Sequence, residues 1–87
     1  MQSAHPDHDA ARRAILDLLD RRGDGKTICP SEAARALADG DEFHQHMDLV
    51  RDVAWGLAAE GVIEVTQRGE PVARDAARGP IRLRLRP

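Results

Sequence analysis

Residues 61–87 hold six arginines, Arg68, Arg74, Arg78, Arg82, Arg84 and Arg86, against three carboxylates. Residues 1–60 reverse the balance, with seven Lys and Arg against twelve Asp and Glu. Guanidinium groups gathered in this way suit the binding of phosphate oxygens, because each presents a planar fork of N–H donors. The net charge of −2 conceals this division. A local field steers a ligand even on a chain that is nearly neutral as a whole. The alternative is ordinary: arginines on a solvated strand face, some paired across the ladder with Glu64.

Other reactive side chains offer less. His5 and His8 are three apart with Pro6 between them, and His44 and His46 are two apart, which on a helix turns them about 200° from one another. Neither pair has a cysteine neighbour, so surface histidines are expected rather than a metal site. Cys29 is the one cysteine; with no base beside it and Pro30 following, it reads as a buried structural thiol. Arg22-Gly-Asp-Gly-Lys26 carries glycines but lacks the spacing of a phosphate-binding loop, and reads as a turn. No catalytic constellation emerges, and neither an enzyme, a cofactor nor a small-molecule ligand is expected.

These residues need a scaffold to position them. A first helix is expected from His8 to Arg22, capped by Asp7 or Asp9, with Ala11, Ala14, Ile15, Leu18 and Leu19 on one face and Gly23 as a left-handed terminator. Lys26–Cys29 is a short extended piece, and Pro30 opens a second helix to about Ala38. Asp39-Gly-Asp-Glu42 connects it to a third helix running from Phe43 or His44 to Glu60, ended by Gly61. Phe43, Met47, Val50, Ala54, Leu57 and Ala58 lie on one arc of that helix, and Trp55 falls on its far shoulder. Its opposite face carries Gln45, Asp48, Asp52, Trp55 and Ala59, with Arg51 at the edge.

Two strands follow. Val62–Gln67 alternates, Ile63 and Val65 inward; Gly79–Leu85 alternates more strictly, Ile81, Leu83 and Leu85 inward and Arg82, Arg84 and Arg86 outward. The stretch from Arg68 to Gly79 is expected to be a loop, a wing too long for a tight hairpin turn. The predicted core is Ile15, Leu18, Leu19, Ile28, Ala34, Leu37, Met47, Val50, Ala54, Leu57, Ile63, Val65, Ile81 and Leu83.

Eighty-seven residues, 41% hydrophobic and 32% charged, suit one folded domain, expected over 8–87 after a flexible tail at 1–7. Phe43 and Trp55 are the only aromatics, so the core rests on Leu, Ile, Val and Ala. A lone cysteine and the lack of a signal sequence or apolar span point to the cytoplasm and to no membrane partner.

Three strings carry a resemblance: Thr27-Ile-Cys-Pro-Ser-Glu-Ala-Ala-Arg-Ala-Leu37, the stretch from Val50 through Val65-Thr-Gln-Arg-Gly69, and Gly79-Pro-Ile-Arg-Leu-Arg84. Together, over residues 10–85, they resemble a family of short bacterial proteins classed only as a domain of unknown function. The resemblance implies a winged-helix-like fold and brings no established activity.

The expected fold is therefore α+β, a winged helix in the order helix, strand, helix, helix, strand, strand, with three helices and a small antiparallel sheet. In such folds the third helix commonly enters the major groove and the wing contacts the backbone. Gln45, Arg51, Arg68, Arg74, Arg78, Arg82 and Arg84 are the candidate nucleic-acid contacts, with DNA as the expected partner. Asp48 and Asp52 repel phosphates on the groove-facing side, which shifts the weight to the wing. The alternative is a protein-interaction module, self-associating as a homodimer or docking another protein, with Asp48, Asp52 and Trp55 at the interface.

Overall fold

The computed structural model describes residues 7–38 and 40–87. The expected N-terminal tail lies outside the described residues except for Asp7, and so do His5 and Asp39.

Helix α1 spans His8–Arg22. Asp7 caps it, its Oδ1 accepting from the Ala10 N–H at 2.9 Å, and Asp9 adds a carboxylate to the first turn. Gly23 ends it by donating its N–H to the Leu19 carbonyl at 3.0 Å. The expected left-handed terminator is not what forms: φ is 102° and ψ 171°, so the chain leaves extended rather than coiled. Strand β1, Thr27–Ile28, follows, and Pro30 occupies the first position of α2, Pro30–Leu37, where its missing N–H costs nothing.

The third helix begins later than the apolar arc implies. Gly40–His46 is a 3-10 helix, and α3 spans Met47–Ala59. Phe43 is still buried, with the Arg35 guanidinium 4.0 Å from its ring centroid and the His44 ring at 4.0 Å. Gln45 consequently sits on the 3-10 segment rather than on α3. At the far end, the Gly61 N–H donates to the Ala58 carbonyl and the Val62 N–H to the Leu57 carbonyl, both at 3.0 Å. That is the paired closure of a Schellman motif, and Gly61 supplies its positive φ of 81°.

Strand β2, Ile63–Gln67, pairs antiparallel with β4, Arg82–Leu85, placing Val65 opposite Leu83 and Glu64 opposite Arg84. Strand β1 pairs with the other edge of β4, Ile28 opposite Leu83. The expected loop is more structured than its sequence suggests. Arg68-Gly69 makes a tight two-residue turn into β3, Glu70–Pro71, which pairs back on β2, and a 3-10 turn follows at Arg74–Ala76. The sheet order is β1-β4-β2-β3, with every pair antiparallel. Pro71 is tolerated because β3 is an edge strand.

The described residues form an α+β fold of three α-helices and a four-stranded antiparallel sheet. The expected element order is present, with β3 and two 3-10 segments added. Eleven of the residues expected inside are buried, from Ile15 and Leu19 on α1 to Leu83 on the central strand β4. Leu18, Leu37 and Met47 are corrections: each is half-buried at the rim, and Phe43, Val53, Ala11 and Ala33 fill the interior instead. No described helix is long and apolar enough to cross a membrane.

Candidate functional site

The hairpin between β2 and β3 and the segment that returns to β4 place the arginines. Gln67 is the organising side chain. Its Nε2 donates to the Arg78 carbonyl at 2.5 Å and to the Pro80 carbonyl at 2.8 Å, and its Oε1 accepts from the Arg78 N–H at 3.1 Å. One amide thus fixes the return segment against the strand that precedes the turn. Arg78 Nη1 donates to the carbonyls of Asp75 at 3.2 Å and Ala77 at 2.9 Å. Arg68 stands exposed at the turn, and together with Gln67, Arg78 and Pro80 it lines a shallow notch. Among the described residues neither Arg68 nor Arg78 has a carboxylate partner within ion-pair distance.

On the outer face of the sheet, Arg82 and Arg84 diverge in role. Arg84 Nε lies 2.8 Å from Glu64 Oε1, so for this candidate contact the ordinary alternative, a pair across the ladder with Glu64, is what forms, and both side chains are largely shielded. Arg82 Nε donates to the Thr27 hydroxyl at 3.1 Å, a neutral partner that orients the guanidinium; among the described residues no carboxylate lies within ion-pair distance of it, and Glu32 feels its field from farther off. Next to it, Arg22 pairs with Glu32 and donates to the Thr27 carbonyl at 2.9 Å. Glu32 Oε2 also accepts from the Cys29 N–H at 2.8 Å, satisfying a free donor at the start of α2. That backbone bond, helped by Arg22 and the field of Arg82 and opposed by partial burial, holds the Glu32 carboxyl below the usual glutamate range.

The outer face of α3 is a different surface. Arg74 Nη2 donates to Asp52 Oδ1 at 3.1 Å, so the 3-10 turn after the hairpin folds toward the helix. Trp55 of α3 is half-buried in a groove shared with His8, Val72 and Gly56. Asp48 is exposed, and Arg51, half-buried, shares the same trough. Arg12 of α1 closes the far end by pairing with Glu60 at 3.1 Å.

The structure therefore brings Arg68, Arg78 and Arg82 to the hairpin end and the sheet face. It joins Arg74 to Asp52 and Arg84 to Glu64, and it leaves Gln45 apart on the 3-10 helix. The fixing role of Gln67 was not anticipated. Its only signal is a polar amide on the strand just before the turn, where its reach to a segment eleven residues on is invisible to periodicity. Cys29 is half-buried rather than buried, and its Sγ accepts from the Ser31 hydroxyl at 3.2 Å. Among the described residues no three of His, Cys, Asp and Glu gather closely enough to hold a metal ion.

The family described as "Protein of unknown function (DUF3253)" matches residues 8–86. The chain belongs to this family. The match takes in every helix and strand, from the first turn of α1 to the end of β4, so the hairpin and its arginines lie within the family's own domain. A search of curated proteins finds no match to the chain.

Proposed function

We propose that this protein binds nucleic acid, DNA foremost, through the basic hairpin and outer sheet face, in a winged-helix arrangement and in the cytoplasm. One observation carries the reading: Arg68, Arg78 and Arg82, which have no carboxylate within ion-pair distance among the described residues, gather at the hairpin end and the adjoining sheet face. By contrast, Arg12, Arg21, Arg22, Arg74 and Arg84 are each matched by a carboxylate, and the unmatched Arg13, Arg35 and Arg51 stand one each on α1, α2 and α3. At the hairpin end Arg78 and Arg82 are oriented by neutral oxygens, and Arg68 projects without an ion-pair partner among the described residues. Guanidinium groups that are positioned but not neutralised are suited to phosphate oxygens. The acidic face of α3, with Asp48 exposed and Asp52 tied to Arg74, argues against base reading by that helix. The mode supported best is contact with the backbone, with little sequence preference.

The test is a titration of labelled random duplex DNA at low and moderate salt. Three phosphate contacts give a slope of log K against log salt of about −3, at ~0.9 per contact. Replacing Arg68, Arg78 and Arg82 together should abolish most of the binding. No binding at low salt overturns the reading. A protein-interaction role is the second reading, favoured by the half-buried Trp55 in its groove on α3. Concentration-dependent light scattering that responds to Trp55→Ala would favour it over the first.

A further inference from the structure

The turn between β2 and β3 contains a residue that the turn itself does not want. Arg68 and Gly69 both have positive φ, 56° and 83°. A two-residue hairpin turn with both residues on that side of the map is of the I′ kind, whose first position favours Asn, Asp or Gly. Among the described residues Arg68 is the one non-glycine with positive φ. Its Cβ crowds its own backbone there, where asparagine would be more comfortable and glycine unstrained.

Nothing described within the fold repays that choice. The Arg68 side chain is exposed and donates to no other described residue, so the arginine contributes neither a cap, a cross-strand pair nor buried area. What it has is position. It shares the notch with Arg78, whose main chain is clamped from both sides by the Gln67 amide and whose Nη1 is held by two carbonyls. Those bonds engage one nitrogen of Arg78 and leave Nε and Nη2 free of described partners. Glu70 sits at the base of the turn opposite Gln67 but does not line the notch. The result is two arginines, one with its guanidinium held by backbone carbonyls and one exposed on a two-residue turn, that line a common space with no carboxylate among its described lining residues.

We propose that Arg68 and Arg78 form a seat for one phosphodiester of a nucleic-acid backbone, and that arginine holds position 68 against the turn's preference because of that contact. The inference rests on the nucleic-acid reading above and narrows it to a single contact. Lysine at 68 would keep the charge but lose the fork that grips two oxygens at once. Asparagine would relieve the turn and lose the contact.

The experiment compares the wild-type chain with Arg68→Asn, Arg68→Lys and Arg78→Ala, using thermal unfolding and titration of random-sequence duplex at low salt. Arg68→Asn should raise Tm by several degrees while weakening binding about tenfold and reducing the salt slope by about one contact. Arg68→Lys should bind with intermediate affinity, and Arg78→Ala should weaken binding to a similar extent as Arg68→Asn. If the wild type binds the duplex and Arg68→Asn binds it equally, the seat is overturned while the wider reading stands. If the wild type does not bind at low salt, both fall. A lower Tm for Arg68→Asn overturns the claim that position 68 is held against its turn.

Discussion

Arg74 and Asp52 meet at 3.1 Å across 22 residues of sequence, and this contact folds the connection after the hairpin toward the outer face of α3. The pair is a meeting of the two halves of the charge distribution, one arginine from the basic end and one carboxylate from the acidic body. Both side chains are more than half exposed, 62% and 52%, so solvent screens the attraction.

Breaking the pair should accordingly cost little stability and change binding more. Arg74→Ala and Asp52→Asn are each expected to destabilise by less than about 1 kcal/mol, the usual range for an exposed ion pair. Their effects on duplex DNA should have opposite signs. Asp52→Asn removes a repelling carboxylate and frees Arg74, so affinity at low salt should rise a few-fold. Arg74→Ala removes a cation and exposes Asp52, so affinity should fall. Equal and opposite shifts that vanish at high salt would identify a field effect; a fall for both would show that the pair organises the surface instead.

Glu32 ties four elements together. It accepts from the Cys29 N–H at the head of α2, pairs with Arg22 at the end of α1, and lies in the field of Arg82 on β4, which itself donates to Thr27 on β1. Glu32→Ala should destabilise by about 1–2 kcal/mol at neutral pH, combining a lost helix-start acceptor with a partly shielded ion pair. That corresponds to a Tm lower by very roughly 5–10 °C for a domain of this size. Because the folded state holds this carboxyl below its usual range, its contribution is complete above the ordinary glutamate pKa. It is lost as pH falls through the lower folded-state value. The gap between wild type and variant in urea unfolding should therefore close on acidification. A gap that persists in acid would mean that packing, not the ionised carboxylate, is what Glu32 supplies.

The parts of this fold that were legible in sequence are those governed by local rules. Asp7, Arg22 and Gly23 mark α1 because cap and stop chemistry acts within one turn, and Glu60-Gly61 marks the end of α3 for the same reason. Alternation across Ile81–Leu85 put Ile81 and Leu83 inward and Arg82 outward, as their burial shows. The 3-10 start of the third helix was not legible, since the spacing of Phe43, Met47 and Val50 is fully accounted for by an α-helix and carries no sign of a tighter first turn. Strand β3 was hidden for a different reason. Its turn begins with an arginine, outside the residues that announce such a turn, and its two residues include a proline. For the candidate site, the arginines were visible as a cluster by composition alone. Which of them keep an unneutralised charge depends on contacts such as Arg74 with Asp52, and those are set by tertiary folding.

Gly56 offers a test of the surface beside Trp55. It lies within α3, is exposed, and a Cβ added there would meet nothing within 4 Å. Glycine at an exposed helical position loses more backbone freedom on folding than alanine, at a cost of about 1 kcal/mol. Gly56→Ala should therefore raise Tm by roughly 4–8 °C in the isolated protein, with the helix otherwise unchanged. The variant also separates the two readings of function. If the hairpin end alone binds nucleic acid, Gly56→Ala and even Gly56→Gln should leave duplex affinity unchanged, because the groove that Gly56 lines is not the one beside Arg68 and Arg78. If the groove around Trp55 docks another protein surface, the larger side chain should weaken that association while the added stability remains. Unfolding, duplex titration and light scattering on the same two variants are sufficient to tell these outcomes apart.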